Sequence, residues 1–243
     1  MNKFSTVAGV ALVAFVSQAA LAQPSEKDIA AAAALMATPH GALPAVASPL
    51  MAGEAGKGAA LDIRYGRYSI EAGDEDIAVN NIGIGGSFAA GERGRIGLML
   101  GRSSCSDCDG STTMAGVDYS MALFSRPVGA STTSSLNIGL HPAFGYGKPS
   151  EGEGSAMSFA LDVPVSFAVG TKTGMQVVSF LAPGMGYGRM SDGEESVSGT
   201  RTTLGGGVAL LNIGNNIGVN LGFRKVFLEE APTQWGLGMS WSR

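Results

Sequence analysis

Residues 156–170 read Ala-Met-Ser-Phe-Ala-Leu-Asp-Val-Pro-Val-Ser-Phe-Ala-Val-Gly, and their parity decides the fold. Met157, Phe159, Leu161, Val163, Val165, Phe167 and Val169 fall on one face. Ala156, Ser158, Ala160, Asp162, Pro164, Ser166, Ala168 and Gly170 fall on the other. Side chains alternate across a strand with period two, so the stretch predicts a β-strand with one greasy face and one small or polar face. It is longer than the usual soluble strand. A tilted strand needs roughly 9–11 residues to cross the hydrocarbon core of a bilayer. The greasy face is therefore long enough to meet lipid, and the small face would line a narrow barrel.

Composition agrees. Only 15% of the 243 residues are charged, against about 25% in soluble domains. The 37 glycines fit strands that crowd a lumen, because glycine takes up no volume there. A net charge of −4 supplies no basic patch to neutralise phosphates, so no nucleic acid is expected as a partner.

Lys3, the apolar run Val7–Val16 and the small-x-small pattern Ala20-Leu21-Ala22 make residues 1–22 a secretory signal peptide, cut after Ala22. That run is far short of the ~20 residues of a spanning helix. No cysteine follows the cut to carry a lipid. Residues 23–59 form an Ala/Pro/Gly-rich leader. Ser25, Glu26, Lys27 and Asp28 could cap a short helix through Ile29–Met36, and Pro39, Gly41, Pro44, Pro49, Gly53 and Gly56 follow as a linker. The leader is either a periplasmic arm or plug entering the barrel, or a disordered lead-in, and its composition favours the disordered lead-in.

From residue 60 to 243 strands and turns alternate, near 60–71, 75–90, 94–104, 111–125, 134–148, 155–170, 175–190, 199–213, 215–229 and 232–243. That predicts an all-β, antiparallel up-and-down transmembrane barrel of about ten strands, with eight as the alternative. The first two strands change phase near Tyr65 and Asn81, which predicts bulges or a different strand boundary there. The non-greasy faces are mostly Gly, Ala and Ser rather than charged, as a tight lumen requires and a solvated surface does not. Loop parity is an independent check. Glu71, Asp74, Glu75, Asp76, Asp107, Asp109, Glu151, Glu153, Asp192, Glu194, Glu195, Glu229 and Glu230 all fall at odd connections. These are most of the 20 acidic residues, and a periplasmic amino terminus puts them outside.

The segments Leu140-His-Pro-Ala-Phe-Gly-Tyr-Gly-Lys148 and Leu181-Ala-Pro-Gly-Met-Gly-Tyr-Gly-Arg189 share a pattern. Both predict outward-running strands whose Tyr146 and Tyr187 join an interfacial aromatic girdle with Trp235 and Trp241. With the Asn220–Arg224 segment and the ending Gln234-x-Gly236-x-x-Met239-x-Trp241, the chain resembles the small bacterial outer-membrane β-barrel proteins, the OmpA/OmpX-like and opacity-protein group. The resemblance implies a cell outer-membrane address, contact with outer-membrane lipid and lipopolysaccharide, and assembly by the barrel-assembly machinery. It implies that Gln234, Gly236, Met239 and Trp241 form the terminal assembly signal. The chain departs from the group by ending Ser242-Arg243, and ten strands exceed the group's usual eight.

Several residues could carry chemistry. Cys105 and Cys108 predict a loop disulfide in an exported protein, and two thiols without a nearby histidine do not make a zinc site. Asp107-Cys-Asp109-Gly110 and Asp192-Gly-Glu194-Glu195 lack the spacing of a calcium loop and read as solvated acid. Asp118, Asn137, His141, Asp162, Asn220 and Arg224 fall on the lumen faces and predict a polar network that fills the interior. A catalytic or proton-relay reading needs His141 beside a carboxylate, and its own strand has none. No cofactor, no metal and no enzymatic activity are expected. The function expected is structural or surface-interaction through the acidic outer loops. A narrow pore for ions or small solutes is the alternative, and a barrel-embedded enzyme a third. Glycine-lined walls would leave a channel, whereas Arg–Asp pairs across the axis would close it.

Overall fold

A computed structural model describes residues 25–43, 58–72, 75–105, 110–128, 134–150, 153–192, 194–214, 216–228 and 231–243. The signal peptide lies outside the described residues. The strands are β1 (Ala59–Ala72), β2 (Glu75–Ala89), β3 (Gly94–Cys105), β4 (Ser111–Pro127), β5 (Ser134–Pro149) and β6 (Ser155–Asp162). After them come β7 (Val165–Gly170), β8 (Gln176–Ser191), β9 (Ser196–Leu211), β10 (Ile217–Val226) and β11 (Thr233–Ser242). Every pairing is antiparallel. β11 returns to β1, from Ala60↔Ser242 to Arg67↔Trp235, so the sheet closes on itself.

Eleven segments make ten staves. β6 and β7 both pair with β5 and with β8, so they are two halves of one stave, the stretch 156–170. The break falls at Val163–Pro164, where proline has no N–H to give the ladder. The neighbours bridge it: Val163 N–H donates to the Pro183 carbonyl at 2.8 Å, and Gly139 N–H donates to the Pro164 carbonyl at 2.9 Å.

Alternation runs around the wall. Leu98, Leu221, Trp235, Leu237 and Met239 each leave more than half of their surface outside, while Ser158, Ala160, Asp162, Ser166 and Ala168 face inward and are buried. A soluble monomer does not carry a continuous apolar belt of this extent. A bilayer matches it. The chain is a transmembrane β-barrel.

One expectation about the wall is corrected. β1 and β2 carry no bulge: their register is unbroken from Ala59↔Phe88 to Ala72↔Glu75. The phase change is chemical. Tyr68 and Val79 point inward and are buried against Ala32, Leu35 and Met36 of the leader, together with Val226. The inner face turns apolar where it has an apolar partner. The register shift lies instead on β4, between Ala122 and Phe124, and it leaves Leu123 and Phe124 both outside.

The second correction is the leader. Residues 25–43, for which a lead-in was favoured, lie inside the barrel as α1 (Glu26–Met36) and α2 (Pro39–Ala42). Neither helix is long and apolar enough to cross a membrane.

Candidate functional site

The site begins with the helix. Ser25 caps α1: its N–H and its hydroxyl both donate to the Asp28 carboxylate, at 2.9 and 2.8 Å, and alanine then propagates the turns. Asp28 pairs with Arg201 of β9. The helix backbone is seated on wall glycines. A Cβ on Gly199 would stand 2.6 Å from the Lys27 carbonyl oxygen, and one on Gly188 would strike the Ala31 carbonyl. Leu35, 0% exposed, fills the space over Gly186. Burying such a side chain is worth about 1.5–3 kcal/mol.

Thr38 ends the helix. Its hydroxyl meets the Leu35 carbonyl at 3.0 Å and the Ser158 hydroxyl at 2.7 Å. Pro39 then starts α2, since it supplies no N–H where none is needed. This brings His40 to the middle of the lumen.

Around His40 the wall contributes five groups. Arg224 of β10 donates from Nη1 to His40 Nε2 at 2.8 Å and to Asp162 Oδ2 at 3.2 Å. His40 Nε2 also stands 3.2 Å from Asp162 Oδ2. His141 of β5 places Nε2 3.2 Å from Asp118 Oδ1 of β4, and Nδ1 3.8 Å from Asp162 Oδ2. The Thr203 hydroxyl donates to Asp162 Oδ1 at 3.4 Å. Asp162 is only 1% exposed. A carboxylate so far from water persists only when paired; Arg224 supplies the charge, with His40, His141 and Thr203 around it. A cavity of about 140 Å³ borders His40, Asp118, His141, Asp162 and Arg224 and runs on toward Asn212, Asn216 and Ser240.

Of the lumen residues expected from sequence, Asp118, His141, Asp162 and Arg224 come together. Asn137 does not. It accepts a hydrogen bond from Ser125 and donates one to Ser135, near the other end of β5. Asn220 is buried beside Gly238. The residue that sequence reading missed is His40, along with Thr203. The signal present was that His40 and His141 are the chain's 2 histidines.

The cluster supplies the His–carboxylate contact that His141's own strand lacks, because Asp118 and Asp162 reach it from both neighbouring strands. Chemically it can hold a proton between imidazole and carboxylate, or offer nitrogen and oxygen donors to a cation. The hydroxyls of Thr38 and Thr203 are engaged with Ser158 and Asp162, not with a histidine.

The remaining predicted residues lie on the wall or at its rim. Tyr146, Tyr187, Trp235 and Trp241 point outward, Trp235 and Trp241 near opposite ends of β11. Gly236 pairs with Gly66 and Gly222, Met239 faces outward, and Gln234 is buried on the lumen side. Glu153, Asp192, Glu194 and Glu195 are exposed at one end of the barrel. Asp192 Oδ1 accepts the Glu194 and Glu195 N–H groups at 3.1 and 2.9 Å. Those donors, Glu195 first, hold its carboxyl below the usual carboxylate range. One oxygen of that carboxylate is thus turned to the backbone. Cys108, with Asp74, Asp107, Asp109, Glu151, Glu229 and Glu230, lies outside the described residues, and so does the expected pairing of Cys105 with Cys108.

No protein-family model matches the chain, and no curated protein matches it. Solved structures do. The attachment invasion locus protein Ail of Yersinia pestis is 11% identical, with 77% of this chain and 99% of that one covered and a TM-score of 0.32. The β domain of the Bordetella autotransporter BrkA is 12% identical, covering 76% and 99%, with a TM-score of 0.49. Outer membrane phospholipase A from Escherichia coli is 8% identical, covering 75% and 92%, with a TM-score of 0.28. An attachment protein, an autotransporter and a phospholipase share no single task, so these similarities assign none to this chain.

Proposed function

We propose that this protein is a closed barrel with a structural or surface-interaction role, its acidic outer loops being the contact surface. One observation carries the closed state: the chain's own leader occupies the lumen. Ten staves enclose more space than eight, which side chains alone can fill. The Gly, Ala and Ser of this inner face leave room that α1 and α2 take up. Arg224, Asp162 and His141 of the wall join His40 of the plug. The narrow-pore reading requires that space to be open. The exposed Asp192, Glu194 and Glu195 support a loop surface that meets its partners as a negative field.

The test is planar-bilayer conductance. Purified mature protein is expected to give no steps, and the same protein lacking residues 25–43 is expected to give them. Regular steps from the intact protein would overturn the closed reading in favour of a pore.

A further inference from the structure

Three side chains from three elements converge in mid-lumen: His40 of α2, His141 of β5 and Asp162 of β6. One ligating atom from each lies within 4.8 Å of the other two. His40 Nε2 is 3.2 Å and His141 Nδ1 3.8 Å from the same oxygen, Asp162 Oδ2. Donors about 2.0–2.2 Å from a tetrahedral zinc ion stand about 3.4 Å from one another. Two of the three separations are already close to that value. The histidine nitrogens lie within 4.8 Å of each other, and their rings are not stacked: the centroids are 5.8 Å apart with planes tilted by 43°.

We propose that His40, His141 and Asp162 form a binding site for a divalent transition-metal ion of the zinc class, stapling the leader to the barrel wall. Imidazole nitrogen with one carboxylate oxygen is a donor set that zinc takes, with a fourth position left for water. The surroundings are those of a ligand rather than of an incidental pair. A metal-bound histidine usually gives its second ring N–H to a carboxylate, which fixes the tautomer. His141 is placed for this: Nε2 stands 3.2 Å from Asp118 Oδ1, so a proton held there frees Nδ1, on the Asp162 side, to bind a metal ion. The proposal takes from the preceding reading only the leader's place in the lumen, and it is independent of whether the barrel conducts.

Arg224 is the competitor. Its Nη1 touches both His40 Nε2 and Asp162 Oδ2, so a cationic group already stands on one side of the donor triangle. Its Nε has no partner, and the side chain borders the cavity. Metal entry therefore requires the guanidinium to turn into that space. A substitution that removes Arg224 separates a metal site from a salt-bridge lock, because the two respond in opposite directions.

The experiment uses full mature protein in detergent, treated with chelator and titrated with Co²⁺ and then Zn²⁺. The expected result is one equivalent of Co²⁺ with the visible absorption of a tetrahedral nitrogen/oxygen site, displaced by Zn²⁺. Zn²⁺ should also raise the temperature at which the folded band is lost on a heat-modifiability gel. Asp118→Asn, which lies outside the donor set, is expected to weaken binding by about 10–100-fold. His40→Ala and His141→Ala are expected to weaken it further, and Arg224→Gln to leave it unchanged or tighter. No absorption band from the wild type would overturn the site. So would binding that survives both histidine substitutions and Asp118→Asn undiminished, since the ion would then sit on surface carboxylates. If either histidine variant fails to fold, Asp118→Asn and Arg224→Gln still decide: loss of binding in Arg224→Gln, with none in Asp118→Asn, contradicts the proposal.

Discussion

Single residues carry the inside–outside assignment. Val163 sits halfway along the stave formed by β6 and β7, on the face turned to lipid. An arginine there meets the middle of the bilayer, which costs about 2–4 kcal/mol. Val163→Arg is expected to lose that much in denaturant unfolding from lipid vesicles, and an unchanged midpoint would place the residue elsewhere. Gly199 tests the inner face in the same way. The Lys27 carbonyl lies 2.6 Å from where its Cβ would be, so Gly199→Leu leaves α1 no seat while the wall keeps its ladder. Limited proteolysis is expected to release the leader from that variant and not from the wild type. Equal protection in both would show that the glycine is not the contact. These residue choices were only partly legible. Asp162, His141, Asp118 and Arg224 were visible on lumen faces from period two alone. Their meeting was not, because all four approach from different strands and His40 comes from the leader.

At the scale of elements, the strands were readable because lipid demands a long, clean outer face, and a period of two over that length leaves little ambiguity. The margins were less exact where the outer face stops meeting lipid: β9 begins at Ser196 rather than near 199, and β10 ends at Val226 rather than near 229. The phase change in β1 and β2 was seen but misread. A bulge moves the backbone, whereas here Tyr68 and Val79 keep the register and simply face an apolar partner. That partner, α1, was the element hardest to read. An alanine run shows no strong apolar stripe, and a helix seated backbone-to-wall on Gly188 and Gly199 does not need one. The information lay in the glycines of β8 and β9, far along the chain from the helix they receive.

For the whole molecule, the wall and its filling form one structure. Staves lined with small residues make a lumen too wide to close by themselves. The first described segment of the chain supplies the missing volume, and the buried charges of Asp162 and Arg224 find partners partly through it. The account's central claim is that this segment lies inside the assembled barrel. Thr38 and Ser158 test it most directly, since their hydroxyls meet at 2.7 Å across the boundary between leader and wall. With Cys105 and Cys108 replaced by serine, the double variant Thr38→Cys and Ser158→Cys is oxidised in intact outer membranes and digested. The account predicts a disulfide-linked peptide joining the leader to β6, in protein that still shows heat-modifiable migration. Folded protein without that link would contradict it.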